Sequence, residues 1–491
     1  MGTFSGFSTF ANRKFNSMKE KKVRVGLAGM GLNTYWNQFQ TLRNQLLDYH
    51  RIIKEHLESP RIEVVDAGLV DNVACAEQAG EALAKAAVQL LVVNLSTYAL
   101  SSTLMALVKH LHVPILLLNL QPSAMIDLDA VESMPDRKDR TGAWLAYCQA
   151  CSVPEFASVL NRMSYPYEII SGHLADQQAW DTLTEWMDAI WVASCLKSNR
   201  LGILGHYYGG MLDVYTDLTK QSAVFGSHIE LVEMCELNAS RQSVTQQEIE
   251  QKLQEFAAQF EVSAECDQQE LIRAAKTSIA MDKLVSQHRL GALAYYYEGH
   301  DGNQYEDIVT SMIAGNTLLT GNGVPIAGEC EVKNVQAMKI MSLFGAGGSF
   351  SEFYMIDYTK GEVLLGHDGP AHYRMSKGRV GLVPLPVYHG KPGKGLSIQM
   401  TVAEGDVTLL SVCEDRQGVH LLVAEGEAVT GPVLQIGNTN SRYRFSCGVK
   451  PFIEQWSKAG PSHHCAIGRG HLADRIAKLA WLLGITCIRI S

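Results

Sequence analysis

Four short apolar runs decide the fold of the first part of the chain: VRVGLAG (23–29), IEVVDAG (62–68), QLLVVNL (89–95) and VPILLLNL (113–120). Each run is rich in valine, isoleucine or leucine and ends at a glycine, an asparagine or a polar turn. Amphipathic stretches, such as 36–58 and 75–87, lie between them. Continuous apolar strands that alternate with helices predict a parallel sheet covered on both faces.

A second series of the same kind begins after the SGHL turn at 171–174. The runs LGILGHY (201–207), HIELVEM (228–234) and LGALAYYYEGH (290–300) predict further parallel strands. In an open α/β sheet the carboxyl ends of the strands face the ligand crevice. Glu298, at the end of the last run, is therefore a candidate substrate contact.

The pattern changes after about residue 345, where strand-like runs follow one another with only glycine, aspartate and proline turns between them. Closely spaced strands without helices indicate an antiparallel sheet or barrel. We therefore predict an α/β protein with two parallel-sheet α/β domains, followed by a mostly antiparallel, β-barrel-like C-terminal domain. The expected divisions are a Rossmann-like domain at 1–172, a central α/β domain at 173–345 and the β-rich domain at 346–491.

Composition excludes several classes of protein. The 491 residues carry a formal net charge of −9 and no long basic run, so we expect no nucleic-acid partner. No apolar run reaches the ~18 residues of a membrane helix, and residues 1–22 lack the apolar core of a secretory signal. We expect a cytoplasmic protein with a flexible or peripheral N-terminal extension. Its eleven scattered cysteines are expected to be mostly buried free thiols.

Two glutamates and two or three histidines in the last third form the strongest candidate site. Glu329 lies in GECEVKN, Glu352 in GAGGSFSEFY and His367 at the end of VLLGH, and His463 and His464 follow in GPSHHC. Each lies at the edge of a predicted element beside glycines, where the backbone can approach a small ligand. Carboxylates and imidazoles suit Mn²⁺, Co²⁺ or Mg²⁺, and also zinc. Spacing alone leaves surface or capping roles open for each of them.

These motifs resemble those of the L-arabinose isomerases, a family related to the L-fucose isomerase-like fold. GECEVKNVQAMKIM (328–341) is similar to the family's G-E-G-D-x-K-T-A and the helix that follows it. GAGGSFSEFY, LLGHDG and GPSHHC are similar to its G-G-T-S-F-x-E-D-Y, G-S-H-M and late G-x-x-H-H motifs. Weaker similarity extends upstream, to SGHL and to YGGMLDVYTD (208–217).

The resemblance implies that Glu329, Glu352, His367 and His464 bind a divalent metal, most readily Mn²⁺, with Co²⁺ or Mg²⁺ as alternatives. It implies that the two glutamates also move a proton between C1 and C2 of the sugar, and that His463 contacts the substrate. It further implies a homo-oligomer, a tetramer or hexamer, with active sites at subunit boundaries.

Two N-terminal loops depart from the family's pattern. The turn GMGLNTYW (29–36) has neither the glutamine nor the histidine of the family's G-S-Q-H-L-Y. In YCQACSVPE (147–155), Cys151 stands where the family has a histidine, which makes Cys151 a candidate substrate contact. We therefore expect a sugar specificity that differs from the family's.

The hypothesis is a metal-dependent aldose–ketose isomerase that acts on a free sugar, L-arabinose or a related one. One alternative is an epimerase or metal-dependent lyase on the same scaffold. The other is a non-catalytic sugar-binding protein. Burial of two carboxylates is costly without a cation, and this argues against a simple binding protein.

Overall fold

The structure is a computed structural model that describes residues 22–300, 302–385, 387–388, 391–392 and 394–490. The extension predicted for 1–22 lies, except for Lys22, outside the described residues. The chain divides into two compact units between Trp191 and Val192. The predicted three-domain boundaries stay a prediction.

The first unit is a doubly wound α/β structure, as its apolar runs predict. Its strands are β1 (Val23–Met30), β2 (Ile62–Val70), β3 (Leu90–Leu95), β4 (Ile115–Gln121) and β5 (Tyr167–His173). They form one parallel sheet in the order 2-1-3-4-5. Its helices are α1 (Gln40–Leu57), α2 (Val73–Lys85), α3 (Ser101–Val108), α4 (Leu128–Glu132), α5 (Arg137–Leu145), α6 (Gln149–Arg162) and α7 (Gln177–Lys197). Strands β3 and β4 are almost wholly buried, because helices cover both faces of the sheet.

The second unit begins with another parallel sheet. Its strands are β6 (Arg200–Gly205), β7 (His228–Val232), β9 (Ala292–Tyr296) and β10 (Ile326–Ala327). Strand β8 (Phe260–Val262) lies between β7 and β9 in the sequence but joins a different sheet. The strand order is 10-9-6-7. The accompanying helices are α8 (Leu218–Phe225), α9 (Met234–Gln242), α10 (Gln246–Gln259), α11 (Gln268–Gln287), α12 (Glu306–Val309), α13 (Ile313–Gly321) and α14 (Val332–Leu343).

The last third of the chain contains a closed barrel and several short strands outside it. Its elements are β11 (Gly347–Asp357), β12 (Glu362–His367), β13 (Val380–Pro384), β14 (Val387–Tyr388), β15 (Lys391–Pro392), β16 (Leu396–Gln399), β17 (Gly405–Glu414), β18 (Val419–Val429), β19 (Thr439–Phe445), β20 (His464–Arg469), β21 (Cys487–Ile490), α15 (Val449–Lys458) and α16 (Ala473–Leu483). Six antiparallel strands follow the order 17-20-11-12-19-18, and β18 pairs with β17 to close the ring. The predicted fold class is confirmed.

The last third differs from the predicted series of strands without helices, because α15 lies among the barrel strands and residues 432–437 form no strand. The polar stretch 238–285 contains β8, and α11 has a largely buried face. Strand β8 pairs in parallel with β13, a contact more than a hundred residues away that no local pattern indicates.

Helix α14 connects the parallel sheet with the barrel. Every residue of Val332–Leu343 is buried, because the helix packs against β9 on one side and against β11, β17 and β20 on the other. A helix covered all round loses its amphipathic pattern. The loop that precedes α14 is therefore fixed between the end of the parallel sheet and the first barrel strand. No helix in the described part of the chain has the length and hydropathy that crossing a membrane requires.

Candidate functional site

Glu329 lies in the short loop 328–331 between β10 and α14. Glu329 and Cys330 both have left-handed backbone conformations, with φ of 56° and 58°. A non-glycine residue in this region costs about 1–3 kcal/mol, and such residues cluster at ligand sites. The Cys330 amide donates to the Tyr295 carbonyl at 2.9 Å, and the Tyr208 amide donates to the Glu329 carbonyl at 3.3 Å. These contacts with neighbouring strand ends stabilise the strained loop.

Glu352 lies on β11 between two neighbouring barrel strands. In the register of the sheet it is opposite Gly366 on β12 and His464 on β20. His367 is the last residue of β12, so the strand order places Glu352, His367 and His464 on three adjacent strands. Residues separated by a hundred positions thus meet at one end of the barrel.

The Glu329 carboxylate faces all three histidines. Its oxygens lie 3.9 Å from Nε2 of His367, 3.5 Å from Nε2 of His463 and 3.3 Å from Nε2 of His464. The rings of His367 and His464 both pack on Phe350, with centroids 4.3 and 4.4 Å away. His464 is completely buried, whereas the His463 side chain is 37% exposed. Of the three histidines, His463 therefore presents the most accessible ring.

Two carboxylates behind the site fix the histidine pair. Glu331 Oε2 lies 2.5 Å from Nδ1 of His464, and both side chains are buried. Asp213 Oδ2 lies 2.6 Å from Nδ1 of His463 and accepts a 3.0 Å bond from the His463 backbone amide. A carboxylate on one ring nitrogen orients an imidazole so that the other nitrogen points to a ligand. In both histidines that other nitrogen, Nε2, points towards Glu329.

The environment moves the pKa values of the two site glutamates in opposite directions. Burial raises the pKa of Glu352 above its ordinary value, and the nearby imidazoles offset this only in part. Burial also acts on Glu329, but the nearby imidazoles of His463, His464 and His367 bring its pKa below the ordinary value. The nearby carboxylate of Glu329, followed by that of Asp213, raises the pKa of His463 to about 9.

The donor set fits a divalent cation. One oxygen or nitrogen from each of Glu329, His367 and His464 lies within 4.8 Å of the others, and so does one from each of Glu352, His463 and His464. Oε2 of Glu329 and Nε2 of His464 are buried, and neither makes a hydrogen bond. Buried polar atoms of this kind are costly unless something binds them. Carboxylate and imidazole ligands suit Mn²⁺, Co²⁺ and zinc.

The structure brings together all five residues predicted in the last third of the chain. Sequence reasoning missed their supports: Glu331, Asp213 and Lys333, whose Nζ donates to the Asp213 carbonyl at 2.5 Å. All three lie inside motifs quoted above, GECEVKN and YGGMLDVYTD. Their sequence patterns do not indicate a supporting role. Phe350 was likewise present in GAGGSFSEFY.

The remaining two candidates are placed differently. Glu298 is exposed just beyond β9, and it accepts a 2.6 Å bond from the Tyr296 hydroxyl. It does not belong to either group of potential metal ligands among the described residues. Cys151 is exposed in α6 of the first compact unit, and its substrate contact stays a prediction.

Comparison with known proteins finds similarity to sugar isomerases. A family model described as the L-arabinose isomerase central domain matches residues 214–347. The chain is 22% identical over 338 residues to a sulfoquinovose isomerase of Alkalicoccus urumqiensis, an alignment that covers 68% of this chain and 74% of that protein. It is 22% identical to an L-arabinose isomerase of Bifidobacterium animalis subsp. lactis, with 67% and 66% covered, and 23% identical to one of Mycolicibacterium smegmatis, with 69% of each covered.

The matched central region and these relatives support an enzyme of the isomerase type. The chain is remotely similar to the L-arabinose isomerases. The predicted resemblance is confirmed. The chain spans about two thirds of the length of the L-arabinose isomerases that it matches.

Proposed function

We propose that the chain is a metal-dependent aldose–ketose isomerase that interconverts a free aldose and its ketose through a cis-enediol. The observation that carries the proposal is the convergence of Glu329 and Glu352 on His367, His463 and His464, with buried polar atoms that lack hydrogen bonds. The relatives, named for the isomerisation of L-arabinose and sulfoquinovose, support the same chemistry.

Glu329, Glu352, His367 and His464 would hold the cation, for which Mn²⁺ is the first choice and Co²⁺ or Mg²⁺ the alternatives. When bound, such a cation supplies a Lewis acid that polarises the carbonyl and hydroxyl oxygens of a sugar. Glu331 and Asp213 are not in this set, because each already engages the Nδ1 of a histidine.

Isomerisation requires removal of a proton from one sugar carbon and its return to the neighbouring carbon. We assign this transfer to Glu329 and Glu352, because general acid–base groups must lie within reach of adjacent atoms of one substrate. Both carboxylates lie beside the His464 ring, Glu329 across 3.3 Å and Glu352 in the adjacent strand register. Each can accept the proton from one carbon and return it to the other.

His463 is assigned to substrate binding rather than to proton transfer between carbons. Its ring is partly exposed, and its Nδ1 is engaged by Asp213, which leaves Nε2 as the donor to a sugar hydroxyl. Glu298 and Cys151 stay secondary candidates for substrate contact. The altered loops GMGLNTYW and YCQACSVPE support a specificity different from that of the L-arabinose isomerases.

We further propose a cytoplasmic homo-oligomer, tetramer or hexamer, that binds neither nucleic acid nor membrane. Light scattering on the purified full chain tests the assembly, and a monomer at all protein concentrations would contradict it. Fractionation of source cells tests the location, where recovery with membranes would contradict it.

The deciding experiment measures aldose-to-ketose conversion by Mn²⁺-loaded protein over pentoses, hexoses, deoxysugars and sulfoquinovose. The expected result is conversion of one sugar, loss of that conversion after EDTA treatment and recovery with Mn²⁺. Bound metal without ketose formation from any sugar would favour an epimerase or lyase instead. Sugar binding that chelation leaves unchanged would favour a non-catalytic binding protein.

A further inference from the structure

The order of strands in the first unit reverses at β1. Strands β1 and β3 are neighbours, but β2 lies on the other side of β1, so the order reverses between them. In doubly wound sheets, ligands bind at the carboxyl ends of the strands at such a point. Tyr35 follows β1 and Tyr98 follows β3 at this edge.

Two cysteines lie beside these tyrosines. Cys148 and Cys151 have the spacing C-x-x-C, which the expectation of scattered, inert thiols overlooked. Cys148 belongs to a buried apolar cluster against which Tyr35 and Tyr98 pack. The two residues are three positions apart at the start of α6, and side chains with this spacing are neighbours on a helix surface. The two thiols are therefore close to each other.

The helix start at which they lie is anchored from within. Cys148 is the N-terminal cap of α6, and Cys151 lies in its first turn. Between them, the buried Gln149 side chain donates to the carbonyls of Ser96 at 3.1 Å and Ala146 at 2.7 Å. These bonds tie the turn to the loop after β3. Both cysteines therefore lie on a fixed backbone.

The two thiols differ in access to solvent. Cys151 is exposed, whereas Cys148 is 7% exposed, and burial raises the pKa of the Cys148 thiol. An attacking thiol needs access and thiolate character, whereas a resolving thiol needs only its partner. The geometry gives the first role to Cys151 and the second to Cys148.

We propose that Cys148 and Cys151 form a redox-active dithiol, a modification site that low-molecular-weight disulfides convert reversibly to an intrachain disulfide. The Cys151 thiolate attacks one sulfur of the external disulfide, so that its S–S bond breaks, a mixed disulfide forms and one thiolate leaves. Cys148 loses its proton to solvent and attacks the Cys151 sulfur, which forms the intrachain bond and expels the second thiolate. Two protein thiols are oxidised, and one disulfide is reduced to two thiols.

The wild-type full chain, loaded with Mn²⁺, provides the test. It is equilibrated with mixtures of reduced and oxidised glutathione, quenched with acid, alkylated with N-ethylmaleimide and digested with trypsin. The peptide 141–162 contains Cys148 and Cys151 and no other cysteine. We expect this peptide to lose both alkylation sites and two hydrogens, and to recover them with dithiothreitol. At a fixed concentration of oxidised glutathione, the ratio of oxidised to reduced peptide should fall with the square of the reduced-glutathione concentration, whereas the ratio for a mixed disulfide falls with its first power.

The opposite result is equally clear. Exposed Cys235, in α9, is an internal reference for a single thiol. If peptide 141–162 stays doubly alkylated under conditions that modify Cys235 with glutathione, the proposal is overturned. Isomerase activity is not used in this readout, so the result is independent of the proposed function.

Serine variants separate the two roles. Cys148→Ser should accumulate glutathione on Cys151, because the resolving thiol is absent, whereas Cys151→Ser should form neither product in this peptide. Cys235→Ser is the matched control and should leave the disulfide unchanged. If the wild type and Cys148→Ser carry equal amounts of glutathione bound to Cys151, the proposal is overturned. The wild-type titration holds even if a variant fails to fold.

Discussion

Oε2 of Glu331 lies 2.5 Å from Nδ1 of His464, and neither side chain reaches solvent. This pair fixes the His464 ring so that Nε2 points to Glu329, 3.3 Å away. The two residues are 133 positions apart, so the loop before α14 and the start of β20 must meet for the ring to be oriented. Glu331 is a positioning residue, since it acts through His464.

Replacing Glu331 should weaken metal binding without abolishing the fold. Loss of a carboxylate behind a ligating histidine typically costs roughly 10–100-fold in metal affinity. We expect Glu331→Ala to show this loss in Mn²⁺ titration calorimetry. Glu331→Asp should recover part of it, because the resembling family has an aspartate in its G-E-G-D motif. Exposed Glu427→Gln is the control, and equal affinity in Glu331→Ala and this control would contradict the role.

Neutralising either site glutamate should remove turnover. Glu329→Gln and Glu352→Gln each lose a carboxylate that serves in proton transfer, a function that typically contributes roughly 10²–10⁴-fold. The loss should appear in kcat for whichever sugar the panel identifies, with the circular dichroism spectrum unchanged. Retained activity in both variants would exclude the assigned roles.

His372 should make stability depend on pH. Burial lowers its pKa in the folded state to about 4. As the pH falls, the unfolded state, with a pKa near 6.5, therefore binds a proton before the folded state does. The free energy of unfolding is therefore unaffected by this group above about pH 6.5. It falls as the pH drops towards 4, by about 3 kcal/mol in total. Urea unfolding of the wild type and His372→Asn from pH 7 to 4 should show a smaller loss in the variant. Parallel curves would contradict this account.

Gly348, at the start of β11, should not tolerate a side chain. Its φ is 108°, and an added Cβ would lie 2.6 Å from the Met338 carbonyl oxygen of α14. Overpacking and strained backbone together predict that Gly348→Ala lowers the free energy of unfolding by about 1–3 kcal/mol. Gly209→Ala is the control, because its Cβ meets nothing within 4 Å and its φ is unstrained. Equal urea midpoints for the two variants would be the contrary result.

Parts of the site could be predicted from sequence because their signals are local. Glu329 and His367 each follow a glycine at the end of an apolar run, and the structure places both of them, and also Glu352, close to His464. Asp213 could not be found in this way. Its partner, His463, is 250 positions away, and an aspartate in a short turn has the same local pattern whether it supports a histidine or faces solvent.

Sequence alone determined the alternation of strands and helices, the change to closely spaced strands and the residue types at the barrel end. These depend on hydrophobic periodicity and turn residues, which act over a few positions. Tertiary structure decided which carboxylate supports which imidazole, how β8 reaches β13 and how the barrel closes through β17 and β18. The physical reason is that a buried polar group is stabilised by whichever partner the packing of distant elements brings to it.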